Sequence, residues 1–131
     1  MKVVVTGSTG HIGNVLVRYL VDKGYDVTAF VRNGEKTNLF NGLNVNFAYG
    51  DVRDIDSLKK AFENNDAVFH LAGLIDIGNG NKKLMHDINV NGSKNVIEAC
   101  KLTKVKRLIY TSSVHAIPPK PGNEIIYETN N

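Results

Sequence analysis

Three glycines follow directly on a short run of β-branched residues near the N-terminus. The run Val3-Val4-Val5 is too short for a helix and is apolar on both faces, which is typical of a central parallel strand. After Gly7-x-x-Gly10-x-x-Gly13, apolar residues recur at helical spacing between Ile12 and Leu20. The N-terminal segment therefore predicts a strand, a tight turn and an amphipathic helix, in that order.

Each glycine has a mechanical role in a turn of this kind. Gly7 permits a tight turn off the strand. Gly10 lets a pyrophosphate approach the backbone, and Gly13 lets the helix pack closely against the sheet. The helix N-terminus offers N–H groups and a positive dipole end to phosphates, and the hydroxyls of Ser8 and Thr9 are candidate donors. A purely structural glycine turn is the alternative. A Walker-A loop is excluded, because no Gly-Lys-Ser/Thr follows.

Strand-like and helix-like patterns alternate along the rest of the chain. Four further strands are predicted over residues 26–31, 45–49, 67–71 and 106–111, with helices after Asp54 and over 84–102. This alternation predicts β-α-β units, so the fold class is α/β, a Rossmann-type doubly wound parallel sheet of about five strands. The 131 residues fit one domain, and we predict a dinucleotide-binding domain over residues 1–131.

The composition argues against several other classes of protein. Sixteen Lys and Arg against 13 Asp and Glu give a net charge of +3, and the basic residues are too scattered for a nucleic-acid partner. One cysteine and four scattered histidines predict neither a disulfide framework nor a metal site. No apolar run is long enough for a membrane span, and no signal peptide begins the chain. We therefore expect a cytoplasmic protein with no membrane partner.

The end of the second strand bears on the choice of dinucleotide. NAD-specific sites place an acidic residue there, to bind the adenosine ribose hydroxyls. Here the strand ends in Phe30-Val31-Arg32-Asn33, and Asp26 lies at its other end. Arg32 offers a planar guanidinium suited to a 2′-phosphate. The sequence therefore predicts NADP as the preferred cofactor, with NAD as the alternative. A solvent-exposed surface arginine is the plainer interpretation of Arg32.

Five segments, in this order along the chain, resemble the extended branch of the short-chain dehydrogenase/reductase superfamily. Residues 6–13 match its TGxxGxxG pattern, and Gly50-Asp51-Val52-Arg53-Asp54 matches its GDxRD turn. Residues 68–73 are similar to its VxHLAG segment, and residues 89–96 are similar to its NVxGTxNV helix. Tyr110-Thr111-Ser112-Ser113 resembles its YTSS strand end. Within that branch, the chain resembles dihydroflavonol-reductase-like members of the epimerase/dehydratase family.

The resemblance implies roles for the matching residues. Ser113 corresponds to the catalytic serine and Asn89 to an active-site asparagine. Asp51 would contact the adenine, and Val52 would pack near it. With the glycine turn and Arg32 included, the candidate cofactor-binding residues are Gly7, Ser8, Thr9, Gly10, His11, Ile12, Gly13, Arg32, Asp51, Val52, Leu71, Ala72, Gly73, Asn89, Thr111 and Ser112.

The catalytic tyrosine and lysine of that family have no match in the chain. The family uses a Tyr-x-x-x-Lys pair, whereas the fourth residue after Tyr127 is Asn131. The family's later strands and substrate region are missing as well. We therefore expect the N-terminal, cofactor-binding portion of a longer enzyme, able to bind cofactor without useful turnover.

The resemblance implies that the parent is an NAD(P)-dependent oxidoreductase or epimerase/dehydratase. Its substrate would be a small molecule carrying a carbonyl or alcohol. The alternative is a non-catalytic dinucleotide-binding or regulatory module.

Four further expectations concern one helix and three single residues. The helix over 84–102 is a candidate homodimer surface, because the family often pairs this helix across a dimer. Packing of one apolar face on the sheet is the plainer interpretation. We expect His70 to be a hydrogen-bonded structural residue and Cys100 to be a small buried apolar residue. His115 would line a substrate pocket or belong to a plain loop.

Overall fold

The computed structural model describes residues 1–75, 78, 80–113, 116–117 and 122. The expectations for His115 and Tyr127 lie outside the described residues.

A parallel sheet of five strands forms the centre of the fold, in the order β3-β2-β1-β4-β5. The strands are β1 (Lys2–Thr6), β2 (Asp26–Val31), β3 (Val45–Tyr49), β4 (Ala67–His70) and β5 (Arg107–Tyr110). All four pairings between neighbouring strands are parallel. This order is that of the first five strands of a Rossmann fold, so the predicted fold class is confirmed.

Helices cover the two faces of the sheet. They are α1 (His11–Asp22), α2 (Ile55–Phe62), α3 (Lys82–His86) and α4 (Ser93–Leu102), with a π-helical segment over Asp87–Gly92 and a 3₁₀ turn over Asn38–Phe40. The helix expected after Asp54 is confirmed, since α2 begins at Ile55. The Asp54 carboxylate caps this helix by accepting a hydrogen bond from the Asp56 N–H at 3.0 Å.

The core consists of two apolar layers separated by the sheet. Val3 and Val5 face α1 and pack with Val17, while Val4 faces α2 and α4 and packs with Leu58. Each of the three β1 valines is fully buried, as expected for a central strand covered on both faces.

The register aligns the carboxyl ends of three strands. Thr6, the last residue of β1, is paired with Phe30 of β2 and His70 of β4. The strand order reverses at β1, since β2 lies on one side of it and β4 on the other. In open parallel sheets, ligands bind in the crevice at such a switch point, outside the carboxyl ends of the strands.

The single helix expected over 84–102 is wrong in detail. The helical path starts at Lys82 and changes register in the π-helical segment before α4 begins at Ser93. The Ser93 hydroxyl donates to the Asn89 carbonyl at 2.7 Å, and so gives that carbonyl a side-chain partner where the register changes. π-Helical segments of this length often occur at functional sites.

Within the described ranges, no helix combines the length and the apolar character needed to cross a bilayer. The same residues contain no group of three or more His, Cys, Asp or Glu side chains that could hold a metal ion.

Candidate functional site

A groove of about 340 Å³ opens at the carboxyl ends of β1, β2 and β4. Its lining residues are Gly7, Thr9, Gly10, Phe30, Arg32, Glu35, Val52, Leu71, Ala72, Gly73 and Ile88. Sequence reasoning had selected all of these except Phe30, Glu35 and Ile88. The groove therefore brings together the glycine turn, the end of β2 and the segment after β4.

The glycine turn is shaped by backbone contacts that exclude side chains. Gly7 has a φ of +67°, and a Cβ there would come within 2.6 Å of the Ala72 nitrogen. A Cβ on Gly13 would lie 2.8 Å from the carbonyl carbon of Gly7 and closer still to its oxygen. Both positions therefore require glycine for the turn itself to form.

Gly10 is different, because the protein leaves space beside it. A Cβ on Gly10 would meet only the Gly7 carbonyl oxygen, at 3.2 Å, among protein atoms. Gly10 is also the N-cap of α1, whose first turn carries no acidic residue and receives no side-chain cap. The N–H groups of this first turn have no intrahelical acceptor, so they can serve an anion in the groove.

A smaller cavity continues the groove along the start of α1. It is lined by Gly7, Gly10, His11, Ile12, Gly13, Leu71 and Thr111. Thr111 is held there because its N–H donates to the His70 carbonyl at 3.1 Å, which continues the pairing of β4 with β5. The predicted residues His11, Ile12 and Thr111 therefore border the same opening, with His11 and Ile12 exposed to solvent.

The two hydroxyls of the glycine turn have protein partners. Ser8 is fully buried, and its hydroxyl donates to the Phe30 carbonyl at 3.1 Å. This contact corrects the expectation that the Ser8 hydroxyl is a donor for phosphate. Its role is to tie the turn to β2. The Thr9 hydroxyl donates to Glu35 Oε2 at 3.1 Å, while Thr9 itself lines the groove.

Arg32 is paired with an acidic residue. Its Nε and Nη2 donate to Glu35 Oε1 at 3.0 Å and 2.5 Å, and its backbone N–H donates to Oε2 at 3.3 Å. Partial burial raises the pKa of Glu35, but the hydrogen bonds from Arg32 and Thr9 outweigh it and the pKa lies below its ordinary value. The carboxylate is therefore ionised, and it faces the guanidinium that the sequence argument had assigned to a phosphate.

Asp51 and Val52 form another part of the wall. The Asp51 carboxylate accepts two hydrogen bonds from the Arg53 guanidinium, at 2.9 Å and 2.7 Å. The Arg53 hydrogen bond is the main reason that the pKa of Asp51 lies below its ordinary value. Val52 lines the groove and packs on Gly92, where an added Cβ would come within 2.7 Å of it. The predicted contact of Asp51 with an adenine stays a prediction.

His70 lies at the centre of a buried hydrogen-bond chain. Ser93 donates to the Asn89 carbonyl, so the His70 Nε2–H donates to the Ser93 oxygen at 3.1 Å. Nδ1 is then the acceptor for the Thr6 hydroxyl at 2.7 Å, while Thr6 Oγ1 accepts the Ala72 N–H at 3.3 Å. Burial lowers the pKa of His70 to about 4, so the ring is neutral at pH 7. The structural role expected for His70 is confirmed.

Asn89 holds the segment that follows β4. Its Oδ1 accepts the Leu74 N–H at 2.8 Å, and its Nδ2 donates to the Leu74 carbonyl at 2.9 Å. The side chain thus fixes both backbone groups of one residue, next to the groove-lining Leu71–Gly73. This contact makes Asn89 a positioning residue for the groove wall, whereas its predicted catalytic role stays a prediction.

The serines after β5 lie at the same edge of the sheet. Thr111, Ser112 and Ser113 are exposed, and the Ser113 carbonyl accepts the Ala116 N–H at 2.9 Å. Parallel pairing of β4 with β5 puts their carboxyl ends together, so Ser113 follows the strand neighbouring His70. The predicted catalytic role of Ser113 stays a prediction.

Glu35 is the residue that sequence reasoning missed most clearly. It lies four residues beyond the end of β2, outside the strand-end position where an acidic residue was sought. The Glu35 N–H donates to the Arg32 carbonyl at 3.1 Å, and this turn brings the carboxylate back to the strand end. The signal available in the sequence was the spacing of an acid three residues after an arginine across Asn33-Gly34.

These features fit a dinucleotide. Open space beside Gly10, at the start of α1, suits a pyrophosphate. The side chains of Phe30, Val52 and Ile88 give the groove apolar walls for a flat base, and backbone from Leu71 to Gly73 completes its other side.

Comparisons with known proteins agree with this geometry. The profile of the NAD dependent epimerase/dehydratase family matches residues 3–131. Sterol demethylase protein B of Methylococcus capsulatus is 36% identical over 121 residues, covering 92% of this chain and 37% of that protein. A putative dihydroflavonol 4-reductase of Synechocystis is 33% identical over 116 residues, covering 88% of this chain and 34% of that protein. The chain thus spans about a third of the length of these curated relatives.

A solved structure has the same arrangement. The UDP-glucose 4-epimerase of Thermus thermophilus, in complex with NAD, superposes with a TM-score of 0.73 at 28% identity. The match covers 82% of this chain and 36% of the epimerase chain.

Proposed function

The chain belongs to the NAD dependent epimerase/dehydratase family, and we propose that it binds a nicotinamide adenine dinucleotide in the groove at the glycine turn. The observation that carries the proposal is the contrast among the glycines. A Cβ on Gly7 or Gly13 would strike the protein's own backbone at under 3 Å, whereas a Cβ on Gly10 would meet one protein atom, the Gly7 carbonyl oxygen at 3.2 Å, and would otherwise face the groove. A glycine turn with only a structural purpose does not need that open space.

Different parts of the groove would bind different parts of the dinucleotide. The first-turn N–H groups of α1 would donate to the pyrophosphate beside Gly10, while Phe30, Val52 and Ile88 would enclose the base. Asn89 would hold Leu74 directly, and His70 would act through Thr6, whose hydroxyl oxygen accepts the Ala72 N–H. The nicotinamide ring, when bound, supplies the redox chemistry, and the protein supplies position and exclusion of water.

For the whole protein we propose an oxidoreductase or epimerase/dehydratase that acts on a small molecule with a carbonyl or alcohol. The names of its relatives support this class, since one is a putative dihydroflavonol 4-reductase and another is a UDP-glucose 4-epimerase. In such an enzyme the Ser113 hydroxyl would donate a hydrogen bond to the reacting oxygen. The alternative is a non-catalytic dinucleotide-binding or regulatory module, and a turnover assay of the whole protein would distinguish the two.

Three finer predictions belong with this proposal. The first is the preference for NADP that Arg32 alone predicts, and the pairing of Arg32 with Glu35 opposes it. The homodimer would use the exposed side of the helical path over 84–102, where Ile97 and Leu102 are 45% and 55% exposed. A cytoplasmic location is the third.

Calorimetric titration of the chain with NADH and with NADPH tests the proposed binding. We expect saturable binding of at least one cofactor with a stoichiometry of about one, as for a single pre-formed groove. We also expect mixtures with a cofactor and a carbonyl substrate to show no turnover at ordinary enzymatic rates. Failure of both cofactors to bind would contradict the dinucleotide proposal. Turnover would contradict the non-catalytic alternative.

A further inference from the structure

We infer that Glu35 selects the cofactor at this groove, by neutralising Arg32 and by opposing a 2′-phosphate, so that NAD binds in preference to NADP. The inference rests on the proposed function, since it concerns the choice between two ligands of the same groove. It reverses the preference that Arg32 alone predicts, and it assigns the selection to a residue beyond the strand end.

The Glu35 carboxylate is fixed from two sides. Its Oε1 accepts from Arg32 Nε and Nη2, and its Oε2 accepts from the Thr9 hydroxyl and the Arg32 backbone N–H. An exposed ion pair three residues apart is common and contributes little to stability. The bond from Thr9 distinguishes this pair, because it holds the carboxylate against the glycine turn and within the groove wall.

The exposed fractions of the Arg32 and Glu35 side chains also indicate that Glu35 belongs to the groove wall. The Glu35 side chain is 25% exposed and the Arg32 side chain is 67% exposed. The carboxylate is therefore the more deeply seated charge, and the guanidinium folds over it from the solvent side. A phosphate that approached Arg32 in this arrangement would meet a guanidinium whose Nε and Nη2 are already used.

The charge balance at this position disfavours a phosphate. Arg32 and Glu35 together carry no net charge, and the neighbouring Asp51 is neutralised by Arg53. A 2′-phosphate would bring about two negative charges to a neutral surface, and freeing Arg32 for it would leave an unpaired carboxylate beside it. A ribose with two hydroxyls adds no charge, so it can bind beside the Arg32–Glu35 pair without separating the two side chains.

The test compares the ratio of the NADPH and NADH dissociation constants among variants of the chain. For the native protein we expect NADH to bind about tenfold or more tightly than NADPH, as one charge-assisted contact implies. Glu35→Gln removes the charge with almost no change of shape and should raise NADPH affinity about tenfold. Glu35→Ser gives a second variant with the carboxylate removed altogether. Glu63→Gln, at an exposed site after α2, is the matched control and should leave the ratio unchanged.

Arg32→Gln, made in the native and in the Glu35→Gln background, tests whether Arg32 contacts the 2′-phosphate only when Glu35 no longer pairs with it. If Arg32 only neutralises Glu35 in the native protein, its loss leaves the Glu35 carboxylate unpaired, so the NADPH affinity should fall further while the NADH affinity changes little. In the Glu35→Gln background, the same loss should abolish the gain. Tighter NADPH binding by the native protein, or an unchanged ratio in both Glu35 variants, would overturn the inference while leaving the proposed function intact. Binding of neither cofactor would overturn the proposed function itself.

Discussion

Gly10 and Gly13 differ in what an added methyl group would meet, and this difference separates folding from binding. At Gly13 the methyl group would strike the Gly7 backbone, so Gly13→Ala should lower the melting temperature by several degrees or prevent folding. At Gly10 it would contact one carbonyl oxygen at 3.2 Å and otherwise occupy the groove. Gly10→Ala should therefore lower the melting temperature much less than Gly13→Ala does and weaken dinucleotide binding at least about tenfold.

Thermal unfolding and calorimetric titration of the two variants, side by side, check this prediction. A Gly10→Ala protein that binds NADH as well as the native chain would mean that the pyrophosphate lies elsewhere. The native backbone at Gly10 has a φ of −70°, which alanine adopts without strain, so the melting temperature of Gly10→Ala reports whether the contact with the Gly7 carbonyl oxygen disturbs the turn.

His70 should make the free energy of unfolding depend on pH between about 4 and 6.5. Burial lowers its pKa to about 4, whereas the unfolded chain titrates near 6.5, so the unfolded state binds more protons between these values. The stabilisation is complete above pH 6.5 and is lost as the pH falls toward 4. The free energy of unfolding should be about 2 kcal/mol lower at pH 5 than at pH 7.

Urea unfolding at the two pH values measures the difference. His70→Gln should reduce it to well under half, and the exposed His86→Gln should leave it unchanged. Asp51 and Glu35 have lowered pKa values, so their contributions are present above the ordinary carboxyl range and are lost only at lower pH. An unchanged pH difference in His70→Gln would contradict the neutral, buried assignment.

At the level of elements, the π-helical segment and the loop after β4 are joined by one side chain. Asn89→Asp replaces the donor to the Leu74 carbonyl with a second acceptor, so one hydrogen bond becomes a repulsion. We expect cofactor affinity to fall about tenfold, because Leu71 to Gly73 lose their support. Asn91→Asp is the matched control, since Asn91 lies exposed on the same segment and bonds Asp87.

Fluorescence titration with NADH, together with amide exchange at Leu74, distinguishes positioning from direct contact. Faster exchange at Leu74 in Asn89→Asp, alongside weaker binding, is the result expected of a clamp. Weaker binding with unchanged exchange would instead indicate that the Asn89 side chain touches the ligand.

The elements that sequence reasoning placed well are those fixed by local pattern. β2 and β3 have the predicted bounds and β1 contains the predicted valine run, because each is a compact apolar or alternating run between turns. β4 ends one residue earlier than predicted, at His70, and β5 is one residue shorter than predicted at each end, running from Arg107 to Tyr110. The interruption of the helix over 84–102 could not be read locally, because it accompanies the contact of Asn89 with Leu74, fifteen residues away.

The roles of single residues were likewise predictable where local sequence determines them, and not where they depend on a distant contact. The glycine turn was predictable because backbone geometry demands glycine at fixed positions. Cys100 was predictable as a buried apolar residue, and burial raises the pKa of its thiol to about 11. The Arg32–Glu35 pair and the buried Ser8 hydroxyl depend on how a loop folds back on the sheet, which no periodicity encodes.

For the whole molecule, the predicted homodimer can be tested at one position. Ile97→Lys puts a charge on the exposed side of the helical path over 84–102, where desolvation at an interface would be costly. We expect sedimentation to change from twice the monomer mass to the monomer mass. Val15→Lys, on the exposed side of α1, is the control and should not change it. A native protein that sediments as a monomer at all concentrations would contradict the dimer.

The central claim is that a nicotinamide dinucleotide occupies the groove at the carboxyl ends of β1, β2 and β4. Titration of the ¹⁵N-labelled chain with NADH, followed by amide chemical shifts, tests it most directly. The account predicts saturable shifts at Gly7 to Gly13, at Arg32 to Glu35 and at Leu71 to Gly73. Absence of saturable shifts, or shifts confined to the opposite end of the sheet near Tyr25 and Arg107, would contradict it.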